Sequence, residues 1–135
     1  MQLKLISAAQ VVTINKRICV AGGNPVHCYG IGKVESALHS GFYPGAAPFQ
    51  HGGIATIAGA LCYYLVQAHA FADGNKCTAV VAAIAFMSLN GLKLVYPVDA
   101  SKKSNALADT VERCAASQVP KEAMMEWFDQ HKRSI

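Results

Sequence analysis

Residues 69–78 read HAFADGNKCT, and the segments on either side of this stretch are strongly apolar. In the preceding segment, 54–68, six apolar residues fall on one stripe at helical spacing; they are Ile54, Ile57, Ala58, Leu61, Leu65 and Ala68. In the following segment, 76–89, every residue from 79 to 87 is apolar, so we expect a helix buried on all sides and central to the fold. The sequence therefore predicts a short polar loop between two buried helices.

The periodicity of the first helix also predicts a direction for His69. Counting about 100° per residue, this histidine lies about 60° from the centre of the apolar stripe. We therefore expect His69 to leave the helix on its inner side rather than toward solvent.

The rest of the chain is also patterned for helices. Four more segments have helical periodicity or helix boundaries: 5–18, 32–40, 101–116 and 121–130. Loops are expected at 21–30 and 41–53, where glycine and proline cluster. Asn90-Gly91 should end the helix at 76–89 with a left-handed cap, and a short extended piece should follow at 92–95. Six helices predict an all-α, single-domain bundle over residues 1–135, built around one buried central helix.

Composition supports one globular domain. The chain has 135 residues, of which 53% are apolar and only 15% charged, and this balance argues against disorder. The most apolar run, 79–89, is well short of the roughly 20 residues that a membrane-spanning helix needs. The N-terminal residues MQLKLISAAQ do not have the layout of a signal peptide, so we expect a cytoplasmic protein.

The cysteines and the net charge indicate which kinds of binding site and partner to expect. Five cysteines without a CxxC pair favour reduced thiols, and His27-Cys28 has no partner pair at zinc spacing. The net charge of +4 is modest, and no long basic run appears, so direct nucleic-acid binding is not expected. A positive balance suits a phosphate-bearing ligand or an acidic partner peptide.

The opening stretch has the parts of a phosphate site. A helix N-terminus offers unpaired N–H groups, and Gly74 and Asn75 let an anion approach the backbone closely. Lys76 adds a positive charge, and the Asp73 carboxylate could hold Mg²⁺ against phosphate oxygens. The neutral imidazole of His69 could accept a proton from an attacking hydroxyl. Each residue alone has an ordinary role as a core histidine, a turn or a cap, but their tight spacing indicates phosphoryl or nucleotidyl transfer.

The same stretch resembles the signature of the Fic/Doc family, written H-x-F-x-D/E-G/A-N-K/G-R. The similarity is closest to the death-on-curing (Doc) branch, which has a lysine where Fic proteins usually have a glycine. Three flanking segments agree in order and spacing: GGNP at 22–25, VESAL at 34–38 and NG at 90–91. The resemblance therefore covers nearly the whole chain and implies a Fic/Doc-type six-helix bundle.

The resemblance also implies an activity. Fic proteins generally transfer AMP from ATP to a protein hydroxyl, whereas Doc phosphorylates a threonine of elongation factor Tu and stops translation. Lys76 places the kinase activity ahead of AMP transfer. By the same matching, His69 is the general base, Asp73 the Mg²⁺ ligand, and Gly74, Asn75, Lys76 and position 77 the cradle of the ATP phosphates. The loop at 41–53 falls where the family has its target-docking flap.

Two departures from the family pattern bear on activity. Position 77 is a cysteine, although the family has an arginine that forks onto nucleotide phosphates. Gly30 stands where the family often has an acidic residue. The self-inhibitory motif S/T-x-x-x-E-G/N does not occur, so inhibition would come from a separate Phd-like antitoxin. The alternatives are AMP transfer and a degenerate member that binds nucleotide or antitoxin without turnover.

Overall fold

The computed structural model describes residues 3–43, 53–96 and 105–135. These parts of the chain form six helices: α1 (Ala8–Gly22), α2 (Ile31–Phe42), α3 (Ile54–Ala68), α4 (Asn75–Leu89), α5 (Ala106–Ala115) and α6 (Lys121–Gln130). Two short antiparallel strands complete them, β1 (Leu92–Leu94) and β2 (Lys132–Ser134). The prediction of an all-α bundle is confirmed.

The first helix begins later and ends later than expected. Ser7 caps it: its hydroxyl accepts from the Gln10 N–H, and the Gln10 side chain accepts from the Ser7 N–H. This reciprocal cap starts the helix at Ala8 rather than near residue 5. At the other end, Gly23 caps the helix in a left-handed conformation with φ 70°. Helix α1 therefore ends at Gly22, inside the segment that was expected to be loop.

The central helix is α3, and the prediction that 76–89 would be central is wrong. Helix α3 packs against α2, α4, α5 and α6. It buries nine residues: Ala55, Ile57, Ala58, Gly59, Ala60, Leu61, Cys62, Leu65 and Val66. Helix α4 packs on α1, α3, α5 and β1, but it buries only six residues and leaves Val81 38% exposed and Leu89 45% exposed. When apolar residues lie on every face of a helix, their pattern does not indicate which faces are buried against other helices.

Helix α3 contacts α6 at very short range. A Cβ built on Gly59 would lie 2.6 Å from the Cα of Met125 and 2.7 Å from the Met124 carbonyl oxygen. Both are backbone atoms that cannot rotate away. The glycine therefore lets the two helix backbones touch, which fixes α6 against the centre of the bundle.

The remaining boundaries agree within a few residues. Helix α2 extends beyond 32–40 at both ends, and Asn105 caps α5 through its side chain. The predicted start of α5 at 101 and most of the loop at 41–53, its flap assignment included, lie outside the described residues. Gly91 has φ 83°, as expected for a left-handed cap, and β1 matches the predicted extended piece.

The departure at Gly30 has a structural counterpart. Gly30 is the N-cap residue of α2, where no side chain caps the helix. An acidic residue at an N-cap accepts a backbone hydrogen bond and complements the helix dipole. Glycine at this position therefore leaves the start of α2 without that stabilisation.

Both ends of the described chain meet the C-terminal end of α4. The Asn90 side chain accepts from the Lys4 N–H over 2.9 Å and donates to the Lys4 carbonyl over 2.8 Å. Strand β2 pairs with β1 just after this point, and the Ile135 N–H donates to the Gly91 carbonyl over 3.0 Å. The sequence did not predict β2, because a strand of three exposed residues has no apolar pattern.

The cysteines are unpaired, in agreement with the expectation of reduced thiols. Burial raises the pKa of the Cys62 thiol and of the Cys114 thiol, so both stay protonated core residues. Cys77 is the exposed member of the five. Over the described residues, no helix combines the length and the hydropathy that crossing a membrane requires.

Candidate functional site

The loop at 69–74 joins α3 to α4, and its first residue turns outward. His69 adopts a left-handed conformation, φ 47° and ψ 49°, directly after the last residue of α3. Its side chain is exposed, so the prediction that it points inward is wrong. The helical periodicity of α3 does not extend to a residue that has left helical geometry, and this is why the extrapolated direction fails.

The middle of the loop is held by a segment from between α1 and α2. The Tyr29 N–H donates to the Ala70 carbonyl over 2.8 Å, and the Ala72 N–H donates to the His27 carbonyl over 2.9 Å. Phe71 is 3% exposed and lies in the core, as expected of a residue that anchors the loop. These contacts fix a loop that is otherwise open to solvent.

Asn75 also holds the loop. Its Oδ1 accepts from the Phe71 N–H over 3.0 Å, and its Nδ2 donates to the Phe71 carbonyl over 2.8 Å. The side-chain amide thus bonds both backbone polar groups of Phe71, as a neighbouring β-strand would. A phosphate at this position would therefore meet the backbone N–H of Asn75 rather than its side chain.

The N-terminus of α4 presents unpaired backbone donors. Gly74 is the N-cap residue, with φ 76° in the region that favours glycine, and no side chain caps the helix. The first backbone hydrogen bond of α4 runs from the Thr78 N–H to the Gly74 carbonyl over 2.8 Å. Within the described residues, the N–H groups of Asn75, Lys76 and Cys77 have no acceptor. Three such groups at one helix end form an anion site.

Asp73 presents its carboxylate beside these donors. Its Oδ1 accepts from the Gly74 N–H over 2.7 Å, and the residue is exposed. The parts of the chain that the structure describes contain no group of three or more His, Cys, Asp or Glu that could hold a metal ion. The donor set therefore fits Mg²⁺ only when the ion is shared with phosphate oxygens and water, which is a common mode for this ion.

The six predicted site residues come together in one cleft of about 510 Å³. The cleft is lined by His69, Asp73, Gly74, Asn75, Lys76 and Cys77, together with Val66, Ala72 and Ala115. An imidazole, a carboxylate, three unpaired N–H groups and a lysine thus lie around the same space. This arrangement can bind an anion and accept a proton from a group that approaches it.

Two contacts that other helices make with residues of the cleft were not predicted. Nζ of Lys76 forms an ion pair with Oε2 of Glu112 at 2.7 Å, and the side chains are 47% and 68% exposed. Glu112 lies 36 residues away on α5, and no motif marks it. Asn15, on α1, donates a hydrogen bond to the Asp73 carbonyl. Asn15 lies four residues from Val11 and from Cys19, on the buried face of α1. A polar residue on that face is the sequence signal that could have indicated it.

Comparison with known proteins gives one family match. A family model described as Fic/DOC matches residues 6–87, which is more than half of the chain. The match runs from before α1 into α4, so it includes the loop and the anion site, whereas Glu112 lies beyond it. A search of curated proteins finds no match. Because this match covers more than half of the chain, the chain belongs to the Fic/Doc family.

Proposed function

We propose that this protein is a Doc-like toxin that transfers the γ-phosphate of ATP to a hydroxyl of a protein target. By resemblance to Doc, that target is a threonine of elongation factor Tu, and the result is a block of translation. Members of the family are typically transferases that bind nucleotide and usually Mg²⁺. The observation that carries the proposal is the convergence of His69, Asp73 and three unpaired N–H groups on one cleft.

The proposed step is an in-line displacement at phosphorus. The target hydroxyl oxygen bonds to the γ-phosphorus, and the bond between that phosphorus and the β,γ-bridging oxygen breaks. ADP leaves with the electron pair, and the hydroxyl proton passes to the imidazole of His69. Because His69 is exposed at the rim of the cleft, a hydroxyl on another protein can reach it.

The rest of the cleft would bind the phosphates. The N–H groups of residues 75–77 and the ammonium of Lys76 supply fixed donors and positive charge where charge develops. Asp73 would hold Mg²⁺, which when bound neutralises phosphate charge. Catalysis of this kind depends on positioning and electrostatics, and the loop is held from two sides, as such catalysis requires.

Lys76 supports phosphate transfer over AMP transfer. By the resemblance, a lysine in place of glycine changes the anion pocket so that the γ-phosphate, rather than the α-phosphate, faces the incoming hydroxyl. AMP transfer by the same cleft is the second candidate. The third is a degenerate member, and it is favoured by Cys77, which puts a thiol where the family has a guanidinium.

Isotope placement separates the three. The protein is incubated with elongation factor Tu, Mg²⁺ and ATP labelled at either the α- or the γ-phosphate. Label on the factor from γ-labelled ATP alone supports the kinase, whereas retention of α-label indicates AMP transfer. If calorimetry detects ATP binding but neither label is transferred, the protein is a binding-only member of the family.

We further propose that a Phd-like antitoxin holds the toxin in check. Helices α1 and α4 contain no acidic residue, and a groove of about 510 Å³ between them is lined by apolar side chains, by the polar residues Gln10, Thr13 and Ser88, and by Arg17. This surface fits an acidic amphipathic segment of a partner protein. Expression of the chain should arrest growth, and co-expression of such a neighbouring gene should relieve the arrest. Arrest that persists with a bound partner would contradict the proposal.

The ion pair between Lys76 and Glu112 should weaken nucleotide binding. Glu112 competes with phosphate for the same ammonium, so Glu112→Gln should raise the affinity for Mg²⁺-ATP. Exposed ion pairs contribute about 0.2–1 kcal/mol, so we expect a gain of at most about fivefold, measured by calorimetry at low salt. Glu122→Gln is the matched control, because Glu122 contacts Lys121 at 4.0 Å on α6 instead. Equal affinities of both variants would show that Glu112 does not compete.

A further inference from the structure

Two polar side chains are buried within the described parts of the chain, Asn15 and Thr78, with exposed fractions of 2% and 1%. They lie on α1 and α4 and contact each other, since Nδ2 of Asn15 donates to Oγ1 of Thr78 over 3.1 Å. A buried amide is unfavourable unless its polar atoms are hydrogen-bonded. The other partners of Asn15 therefore indicate what its burial achieves.

The main partner of Asn15 is the backbone of the site loop. Its Nδ2 donates to the Asp73 carbonyl over 2.9 Å. The Cys19 thiol, 3.5 Å from the same carbonyl and 3.8 Å from Oδ1 of Asn15, is a weak donor to either. Helix α4 supplies no donor here, because its first backbone hydrogen bond goes to the Gly74 carbonyl. The Asp73 carbonyl thus depends on α1.

This hydrogen bond also orients the Asp73 carboxylate. The peptide between Asp73 and Gly74 is planar, so the direction of its C=O fixes the direction of its N–H. That N–H donates to Oδ1 of Asp73 over 2.7 Å. Asn15 therefore holds the carbonyl of this rigid peptide, and the N–H of the same peptide holds the Asp73 carboxylate.

The packing around Gly74 leaves little freedom for this peptide. A Cβ added to Gly74 would lie 3.3 Å from Nδ2 of Asn15 and 3.3 Å from Sγ of Cys19. These are tight contacts, so α1 lies directly against the turn. Asn15 is anchored in turn by Thr78, in the first part of α4. The turn is thus fixed between two helices.

We propose that Asn15 is a positioning residue for Asp73, and through it for the end of the cleft where Mg²⁺ and phosphate would bind. Asn15 lines no part of the cleft and acts only through the backbone of the turn. The inference rests on the proposed function for the identity of the ion, and on the hydrogen bonds alone for the link between α1 and the carboxylate.

Two variants separate positioning from general support of the fold. Asn15→Leu keeps the volume and removes both donors, whereas Thr78→Val keeps the shape and leaves the bond from Asn15 to Asp73 intact. The readouts are the NMR shift of the Gly74 amide proton and the Mg²⁺ concentration for half-maximal ATP binding by calorimetry. Asn15→Leu should move the amide proton upfield and raise the Mg²⁺ requirement about 10- to 100-fold, as for other residues that orient metal ligands. Thr78→Val, which removes only the anchor of Asn15, should change both readouts by much less than Asn15→Leu.

The outcomes are distinct. If Asn15→Leu destabilises the fold but matches Thr78→Val in both readouts, Asn15 has only a structural role and the proposal is overturned. If Asn15→Leu does not fold, Asn15→Ser, which also cannot reach the Asp73 carbonyl with an amide, is measured in the same way. If the parent protein binds no ATP, the proposed function fails, and the Gly74 amide shift alone decides the proposal.

Discussion

Replacing Cys77 by arginine should raise the rate of phosphate transfer by about 10²–10³, which corresponds to about 2–4 kcal/mol of transition-state stabilisation. A guanidinium presents a planar pair of donors to phosphate oxygens and stays charged at every working pH, whereas a thiol does neither. Cys77 is exposed and lines the cleft beside the unpaired N–H groups of α4, so the longer side chain can enter the anion site. Single-turnover transfer from γ-labelled ATP measures the gain.

The controls for Cys77→Arg separate charge from shape. Cys77→Lys adds a positive charge without the planar pair of donors and should give a smaller gain. Cys77→Ser removes the thiol without adding charge and should match the parent protein. If Cys77→Arg transfers phosphate no faster than Cys77→Ser, position 77 does not limit this protein, and the cysteine is a neutral replacement.

Removing the imidazole of His69 should lower the rate of phosphate transfer by about 10²–10⁴, the usual contribution of a general base. The expected loss is in turnover, because in the proposed mechanism residues 74–77, rather than His69, would bind the phosphates. Affinity for Mg²⁺-ATP, measured by calorimetry, should therefore stay within about twofold of the parent value. This limit corresponds to about 0.4 kcal/mol of binding free energy.

The backbone of His69 determines which variant to use. With φ 47°, this position is strained for most residues, but asparagine tolerates the left-handed region. His69→Asn should lose the base and keep the fold, whereas His69→Ala should lose the base and also about 1–2 kcal/mol of stability. Equal turnover in His69→Asn and the parent protein would remove His69 from the mechanism. A stability difference between the two variants, measured by urea unfolding, checks the backbone argument.

Local sequence was enough to predict most of the helices, and it placed the six candidate site residues close together. The segments 54–68 and 121–130 coincide with α3 and α6, because each has clear boundaries and its own apolar stripe. The six residues of the cleft lie within nine positions, so chain connectivity alone keeps them close.

The rest depends on contacts that local sequence does not encode. Glu112 reaches Lys76 from α5, and Asn15 reaches Asp73 from α1, across separations of 36 and 58 residues. The outward direction of His69 follows from one backbone conformation, and helical periodicity does not carry across it. The exposed face of α4 is apolar like its buried face, so the pattern could not tell them apart.

The meeting of both chain ends with the far end of α4 has a practical consequence. Helix α4 has 15 residues and is therefore about 22 Å long, with the cleft at its N-terminus and Asn90 just past its C-terminus. Lys4 forms a hydrogen bond with Asn90, and Ile135 forms one with Gly91, at the end of α4 opposite the cleft. A fluorescent reporter or surface tether attached beside Lys4 or Ile135 would thus leave the cleft free to receive a folded protein.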